Sequence, residues 1–218
     1  MSVRETLEGW VRQGRRVVHE ADAKALLSDI GVPVPVRDPA DGKVVVKLCH
    51  DDFPHKSDHG LVRLGLTPAD APDVAAEMVA RVPGGVPLIE AMEQDAEVEW
   101  IVGCKIDATF GPIVLAGPGG VLVELLDAGE IRLAPATTET ALEMLAQGAG
   151  ARLLDGMRGA PAADRAGLAD LISRISVFFA ENADLISEIE VNPVMIRADG
   201  KGLIAADALI ILRDAAET

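Results

Sequence analysis

The chain contains no tyrosine, and aromatic residues make up only 3% of it. With 49% of its 218 residues hydrophobic, its core must be built from valine, leucine, isoleucine, alanine and methionine. Only two cysteines are present, Cys49 and Cys104. They lie far apart without CxxC spacing, which excludes a disulfide framework and a zinc pattern. Both are expected to be buried thiols in a reducing compartment. No apolar run reaches the roughly 18 residues that cross a bilayer. The segment Met1–Trp10 is charged and lacks an apolar centre, so it is not expected to be a secretory leader. A soluble, cytoplasmic protein with no membrane partner is expected. Basic residues are scarce, 20 against 35 acidic ones, for a net charge of −15. That balance argues against nucleic acid as a partner, because neutralising a phosphate backbone takes a basic surface. Binding of a mononucleotide is not excluded, since it needs only a local set of cations and backbone N–H groups.

The length suits one large domain or two small lobes sharing a cleft. Glu20–Ile30 reads as a helix, with Ala21, Ala25, Leu26 and Ile30 at helical spacing and Gly31, Pro33 and Pro35 ending it. Val44–Leu48 is a short β-branched strand carrying Lys47. A polar loop, His50–Gly60, leads to a strand at Val62–Leu66. Pro68–Val82 has the helical stripe Ala71, Val74, Ala75, Met78, Val79 and Val82. Strands follow at Val86–Met92, Val98–Ile106 and Ile113–Ala116, then a glycine-rich bend at Gly117–Gly120 and the apolar run Val121–Leu126. Thr137–Gln147 and Ala163–Phe179 read as helices. Ile186–Ile196 and Leu203–Leu212 read as closing strands joined by a hairpin turn at Asp199–Gly202. Strands and helices do not alternate strictly, so the fold class is α+β rather than a doubly wound sheet. Pro83–Pro87 and Met92–Ala96 are the candidate hinges.

Three groups of residues could carry chemistry. Lys47, delivered by a strand and followed by the loop residues His55, Lys56, Ser57, Asp58 and Gly60, suits a polyphosphate: the ammonium neutralises charge while loop amides donate hydrogen bonds. On composition alone the loop reads equally as a solvated connection. His55 is the most informative of the histidines, since a neutral imidazole can act as a nucleophile and carry a phosphoryl group. Glu188, Glu190 and Asn192 alternate onto one face of a strand, and Asp207 interrupts an apolar strand. If these strands pair, Glu190, Asn192 and Asp207 converge as oxygen donors suited to Mg²⁺; a merely solvated strand face is the alternative. Leu88–Met92 offers an adenine slot or plain core, and Arg132 a phosphate-side cation or a structural ion pair.

Together the stretches EADAKALLSDIGVPVPV, VVVKLCHDDFPHKSDHGLVRLGL, EVEWIVGCKIDATFGPIVLAGPGGVLVELL, RLAP and EIEVNPV resemble the ATP-grasp subunit of ADP-forming acetyl-CoA synthetases. The likeness runs from Glu20 to Asp207. It implies an ATP-grasp fold, with residues 21–95 as the small lid lobe and residues 1–20 and 96–218 as the large lobe carrying the Mg²⁺ site. It also implies an acid–thiol ligase that binds ATP or ADP with Mg²⁺ and relays phosphate through a phosphohistidine at His55. By resemblance, Lys47, Lys56, Ser57, Asp58 and Gly60 would surround the nucleotide phosphates, and Arg132 would lie on the phosphate side. Glu90, Ala91 and Met92 would line the adenine, Glu99 would lie near the ribose, and Glu190, Asn192 and Asp207 would hold the metal. The partner implied is a separate CoA-binding α-subunit, in a hetero-oligomer such as α2β2, because this chain has no GxGxxG after an early strand. Leu61 stands where the family loop has a second glycine. Since leucine resists positive φ, the loop is expected to wrap phosphate less readily. That feature keeps open a nucleotide-binding regulatory subunit without phosphotransfer; a standalone ATP-grasp carboxylate ligase is the third alternative.

Overall fold

A computed structural model of the chain describes residues 2–50, 53, 56–119, 129–147, 150–156 and 159–214. The expected run Val121–Leu126 and His55 lie outside these residues. Two antiparallel sheets organise the chain.

The smaller sheet has three strands, β2 (Val44–Cys49), β3 (Val62–Leu66) and β4 (Val86–Ala91), in the order β3-β2-β4. Every residue of β2 is buried, as its β-branched run predicts for a central strand. Helix α3 (Ala71–Arg81) covers this sheet with Ala71, Ala75 and Met78. Leu61 is 3% exposed and packs into the same small core. Among the described residues only Asp38 combines a side chain with positive φ. The strain expected of Leu61 is therefore not present: its side chain fills the core, and its N–H donates to Lys56 O at 2.9 Å. The positive φ of the turn, +65°, falls on Gly60 instead, where the absent Cβ makes it inexpensive.

The larger sheet runs β1-β10-β8-β5-β6-β7, with β9 also paired to β8. Its strands are β1 (Val17–Val18), β5 (Val98–Asp107), β6 (Gly111–Pro118), β7 (Glu130–Leu133), β8 (Ile186–Ile196), β9 (Leu203–Ala205) and β10 (Ala208–Leu212). Helices α1 (Val3–Arg12), α2 (Glu20–Asp29), α4 (Thr138–Ala146), α5 (Ala151–Leu154) and α6 (Arg165–Glu181) complete the chain. The sequence reading did not include α1, which is capped by a reciprocal Ser2–Glu5 box. Helix α6 is the spine of the large core, burying Leu168, Leu171, Ile172, Ile175 and Phe179. Truncating a fully buried phenylalanine such as Phe179 costs about 3–5 kcal/mol. Its N-cap, Asp164, accepts from Gly167 N at 2.8 Å and from Gly202 N at 2.9 Å.

Two local departures from the sequence reading shape the cleft. The expected strand Leu203–Leu212 is two strands, broken at Ala206 and Asp207: β9 pairs with Val194–Ile196, and β10 with the segment of β8 before Asn192. The cause lies across the sheet, where Pro193 has no N–H to give the ladder. Helix α2 is rotated relative to the expected face. Ala25 is exposed, while Ala23, Leu26 and Leu27 join the large core. The small core, by contrast, takes its buried residues from Val44 to Met78. Pro83–Pro87 joins α3 to β4 within one core, so it is not a hinge; Met92–Ala96 crosses from β4 to the large sheet, and residues 30–43 make the other crossing.

Candidate functional site

A cleft of about 440 Å³ lies between the sheets. Val45, Val62 and Leu64 of the small sheet form one apolar wall, and Pro193 and Met195 of the large sheet form the other. Such a slot, dry on two sides with charges at one end, is the common form of a small-ligand site. Ala91, Met92 and Glu99 border it, and Lys47, Glu90 and Asp207 lie at its charged end.

That end is a buried network of six charges, three ammoniums and three carboxylates. Lys47 sits on β2, 7% exposed. Its Nζ donates to Glu20 Oε1 and to Ala206 O, both at 2.5 Å, and lies 3.2 Å from Glu90 Oε2. Lys24 Nζ donates at 2.6 Å to Glu20 Oε1, Glu90 Oε2 and Ala206 O. Lys56 Nζ reaches Asp207 Oδ1 at 3.1 Å and stands 3.2 Å from Glu20 Oε2. The carbonyl of Ala206 is free to accept two ammoniums because the chain is broken there between β9 and β10. Burying so many charges is tolerable only because each has an opposite partner.

The network sets the protonation of its members. Burial alone would raise the Glu20 carboxyl, but Lys47, Lys24 and Lys56 outweigh it and hold Glu20 down to about 2. Burial would lower Lys47 and Lys56; for Lys47 the attraction of Glu20, Asp207 and Glu90 reverses this, and for Lys56 that of Glu20 and Asp207. Both stay charged. Asp207 is pushed up to about 6, first by burial and then by Glu20, against the pull of Lys47 and Lys56. Lys24 is lowered, by burial above all. The Cys49 thiol beside the network is raised to about 11 by burial and by Glu20. It and the buried Cys104 are unreactive thiols, as expected.

The expected residues do not all meet here. Lys47, Lys56 and Asp207 converge, and the Glu90 carboxylate is engaged by Lys24 and Lys47. Asn192 is adjacent to Asp207: its N–H donates to Asp207 O at 3.2 Å, and its Nδ2 donates to Glu190 Oε1 at 3.2 Å. Glu190 itself borders a neighbouring groove of about 190 Å³ with Glu188 and Gly103. Arg132 is not at the cleft; it pairs with Glu130 at 3.4 Å and donates to Gln147 Oε1 at 2.8 Å. Lys56, Ser57 and Asp58 form a 3₁₀ turn with His59 that ends at Gly60. Among the described residues no three His, Cys, Asp or Glu side chains are grouped to hold a metal ion. Glu20 and Lys24 were absent from the expected set.

A family model described as an ATP-grasp domain matches residues 9–212. The chain belongs to the ATP-grasp domain family. It is homologous to the β subunits of ADP-forming acetate–CoA ligases. The I subunit beta of Pyrococcus furiosus is 31% identical over 231 residues, covering 96% of this chain and 97% of that one. The name of that relative implies a partner α subunit for it. ADP-forming acetate–CoA ligase I of Archaeoglobus fulgidus is 33% identical over 190 residues, 84% of this chain but 26% of that protein. The chain thus spans about a quarter of that relative's length. Among solved structures, acetyl-coenzyme A synthetase 1 of Ca. Korarchaeum cryptofilum, described as dinucleotide forming, superposes with a TM-score of 0.87 at 30% identity. The match covers 97% of this chain and 100% of that chain, in a complex with coenzyme A and Ca-AMPCP. A second structure of that protein, with coenzyme A and Mg-AMPPCP, has its phosphohistidine segment pointing towards the nucleotide binding site; it matches at TM-score 0.84. The two-lobed ATP-grasp architecture expected from the sequence is the fold observed. Among the described residues no helix is long and apolar enough to cross a membrane.

Proposed function

We propose that this chain is the nucleotide-binding subunit of an NDP-forming acyl-CoA synthetase, which interconverts acyl-CoA, ADP and phosphate with carboxylic acid, CoA and ATP. The observation that carries this reading is that Lys47 and Asp207 line one end of an apolar slot, with Lys56 paired to that same Asp207 at 3.1 Å. The slot suits a purine; two fixed ammoniums beside an oxygen donor suit its phosphates.

In this reading the partner α-subunit binds CoA. There phosphate attacks the acyl-CoA carbonyl, the thioester bond breaks and an acyl phosphate forms. A partner histidine takes the phosphoryl group and releases the carboxylate. His55 receives it next, and a β-phosphate oxygen of ADP attacks phosphorus as the N–P bond breaks, returning a neutral imidazole. Lys47 and Lys56 hold the charge that accumulates on the phosphoryl oxygens. The three-stranded sheet and α3 form the lid, and the rest of the chain carries the metal site. Asp207 and Asn192, with Glu190 nearby, present hard oxygen donors, and the Asp207 carboxylate already has a cation against it. The set fits Mg²⁺. Asp207 and Asn192 would hold the ion, which would supply positive charge for the nucleotide phosphates. The core position of Leu61 removes the feature that favoured a regulatory subunit without phosphotransfer.

The test is labelling with [γ-³²P]ATP and Mg²⁺, with the chain alone and with its CoA-binding partner. Acid-labile, base-stable label that is lost in His55→Ala supports the proposal. Tight ATP binding without label in either condition overturns it.

A further inference from the structure

Glu20 has no part in the reaction just described, yet it lies at the centre of the charges that do. Its side chain is 0% exposed and faces three ammoniums. Oε1 is fully used, accepting from Lys24 and Lys47. Oε2 is buried and accepts no hydrogen bond, although Lys56 Nζ stands 3.2 Å away in an ion pair. Buried acceptors are rarely left so. The ammonium that could complete it instead donates to Asp207, at 3.1 Å.

The arithmetic of charge gives this arrangement a direction. Lys24, Lys47 and Lys56 balance Glu20, Glu90 and Asp207, three against three. When a divalent cation takes Asp207, three ammoniums remain against two carboxylates, and Lys56 must leave an oxygen it can no longer share. Glu20 Oε2 is the nearest acceptor, already within ion-pair distance and lacking a donor. Without it, Lys56 and the metal would compete for Asp207. With it, Lys56 moves a short way and keeps its charge beside Asp207.

We propose that Glu20 is a positioning residue for phosphoryl transfer: it anchors Lys47 and supplies the second partner onto which Lys56 shifts when a divalent cation occupies Asp207. The inference rests on the metal and phosphate roles assigned above. Glu20 touches neither nucleotide nor phosphoryl group and acts through the two lysines. Lys24 holds Glu20 Oε1 in place and ties it to Glu90.

The experiment is Mn²⁺ binding to the full chain, followed by electron paramagnetic resonance, for wild type, Glu20→Gln, Lys56→Met and the double variant. Glu20→Gln keeps the shape and removes the charge. It should weaken Mn²⁺ by about fivefold or more, because Lys56 then has only Asp207 to pair with. Lys56→Met removes the competitor and should bind Mn²⁺ more tightly than wild type. Adding Lys56→Met to Glu20→Gln should restore the affinity that Glu20→Gln lost. A purely structural Glu20 gives no such rescue. If Glu20→Gln does not fold, Lys56→Met alone still decides: unchanged or weaker Mn²⁺ binding overturns the exchange. Wild-type protein that fails to bind Mn²⁺ overturns the metal reading and this inference with it. Normal wild-type binding without the Lys56 effect overturns this inference alone. With the partner present, Glu20→Gln should lower kcat more than it raises KM for ADP, and Glu20→Asp should recover part of kcat.

Discussion

Lys24 Nζ, on the helix seated in the larger core, lies 2.6 Å from Glu90 Oε2 on the smaller sheet. The side chains are 4% and 1% exposed, so this ion pair ties the two sheets together out of contact with water. Breaking such a pair from one side leaves an uncompensated buried charge and costs about 3–5 kcal/mol. Lys24→Met should therefore lower the unfolding free energy in urea by about that much. Lys24→Met combined with Glu90→Gln should cost less than the sum of the single changes, because the second removes a carboxylate that the first leaves with Lys47 alone, 3.2 Å away. Strict additivity would mean that the two residues are not coupled.

Lys47 offers a prediction about ligands rather than folding. Its ammonium sits at the charged end of the slot, away from the apolar walls that would take the base. A charge-assisted hydrogen bond contributes about 1.5–3 kcal/mol. Lys47→Ala should accordingly weaken ADP and ATP by about tenfold to a hundredfold in calorimetry while leaving adenosine nearly unchanged. Equal loss for all three ligands would indicate a damaged cleft instead.

Much of this cleft was legible in the sequence because it lies on strands with clear signals. Lys47 interrupts a β-branched run, and Asp207 interrupts an apolar one; each exception inside a regular pattern marked a polar group held in a buried place. The pairing of the C-terminal strands then placed Asn192 beside Asp207. Glu20 and Lys24 were not legible for the opposite reason. A Glu–Lys pair four residues apart at the start of a helix is the usual mark of a solvated face, and of the expected stripe Leu26 and Ile30 do meet the large core while Ala25 is exposed. The buried residues are Glu20, Ala23, Lys24, Leu26 and Leu27. The two charges among them are stabilised by residues 66 and 27 positions away, Glu90 and Lys47, which no local periodicity reports. Arg132 stands on the edge strand of the large sheet, where Glu130 and Gln147 engage it.

Gly119 follows β6 at the point where that strand leaves β5. Its N–H donates to Glu99 O at 2.8 Å. A Cβ there would come within 3.0 Å of the backbone of Glu99 and Trp100. Backbone on both sides of the contact cannot rotate away as a side chain would. Gly119→Ala should destabilise the chain by about 1–3 kcal/mol, the usual cost of overpacking, read as a lower midpoint in thermal unfolding. Because Glu99 borders the cleft, nucleotide affinity should fall with it. A variant with wild-type stability would show that the strand end yields easily.

Acid should weaken the bond between the linker and the large sheet through Glu93. Its carboxylate accepts from Arg197 at 2.5 and 3.2 Å. That hydrogen bonding holds Glu93 below the ordinary value of 4.5 even though partial burial pushes the other way. The folded chain therefore holds this proton less readily than the unfolded one. The contribution is fully present above the unfolded value and disappears as pH falls through the lower, folded one. Arg197 is 33% exposed, so solvent screening limits the effect to about 0.5–1 kcal/mol. Glu93→Gln should lower the thermal midpoint at about pH 6, and the gap from wild type should shrink as pH falls below the unfolded value. A gap of constant size across that range would mean that the pair stabilises by packing and not by charge.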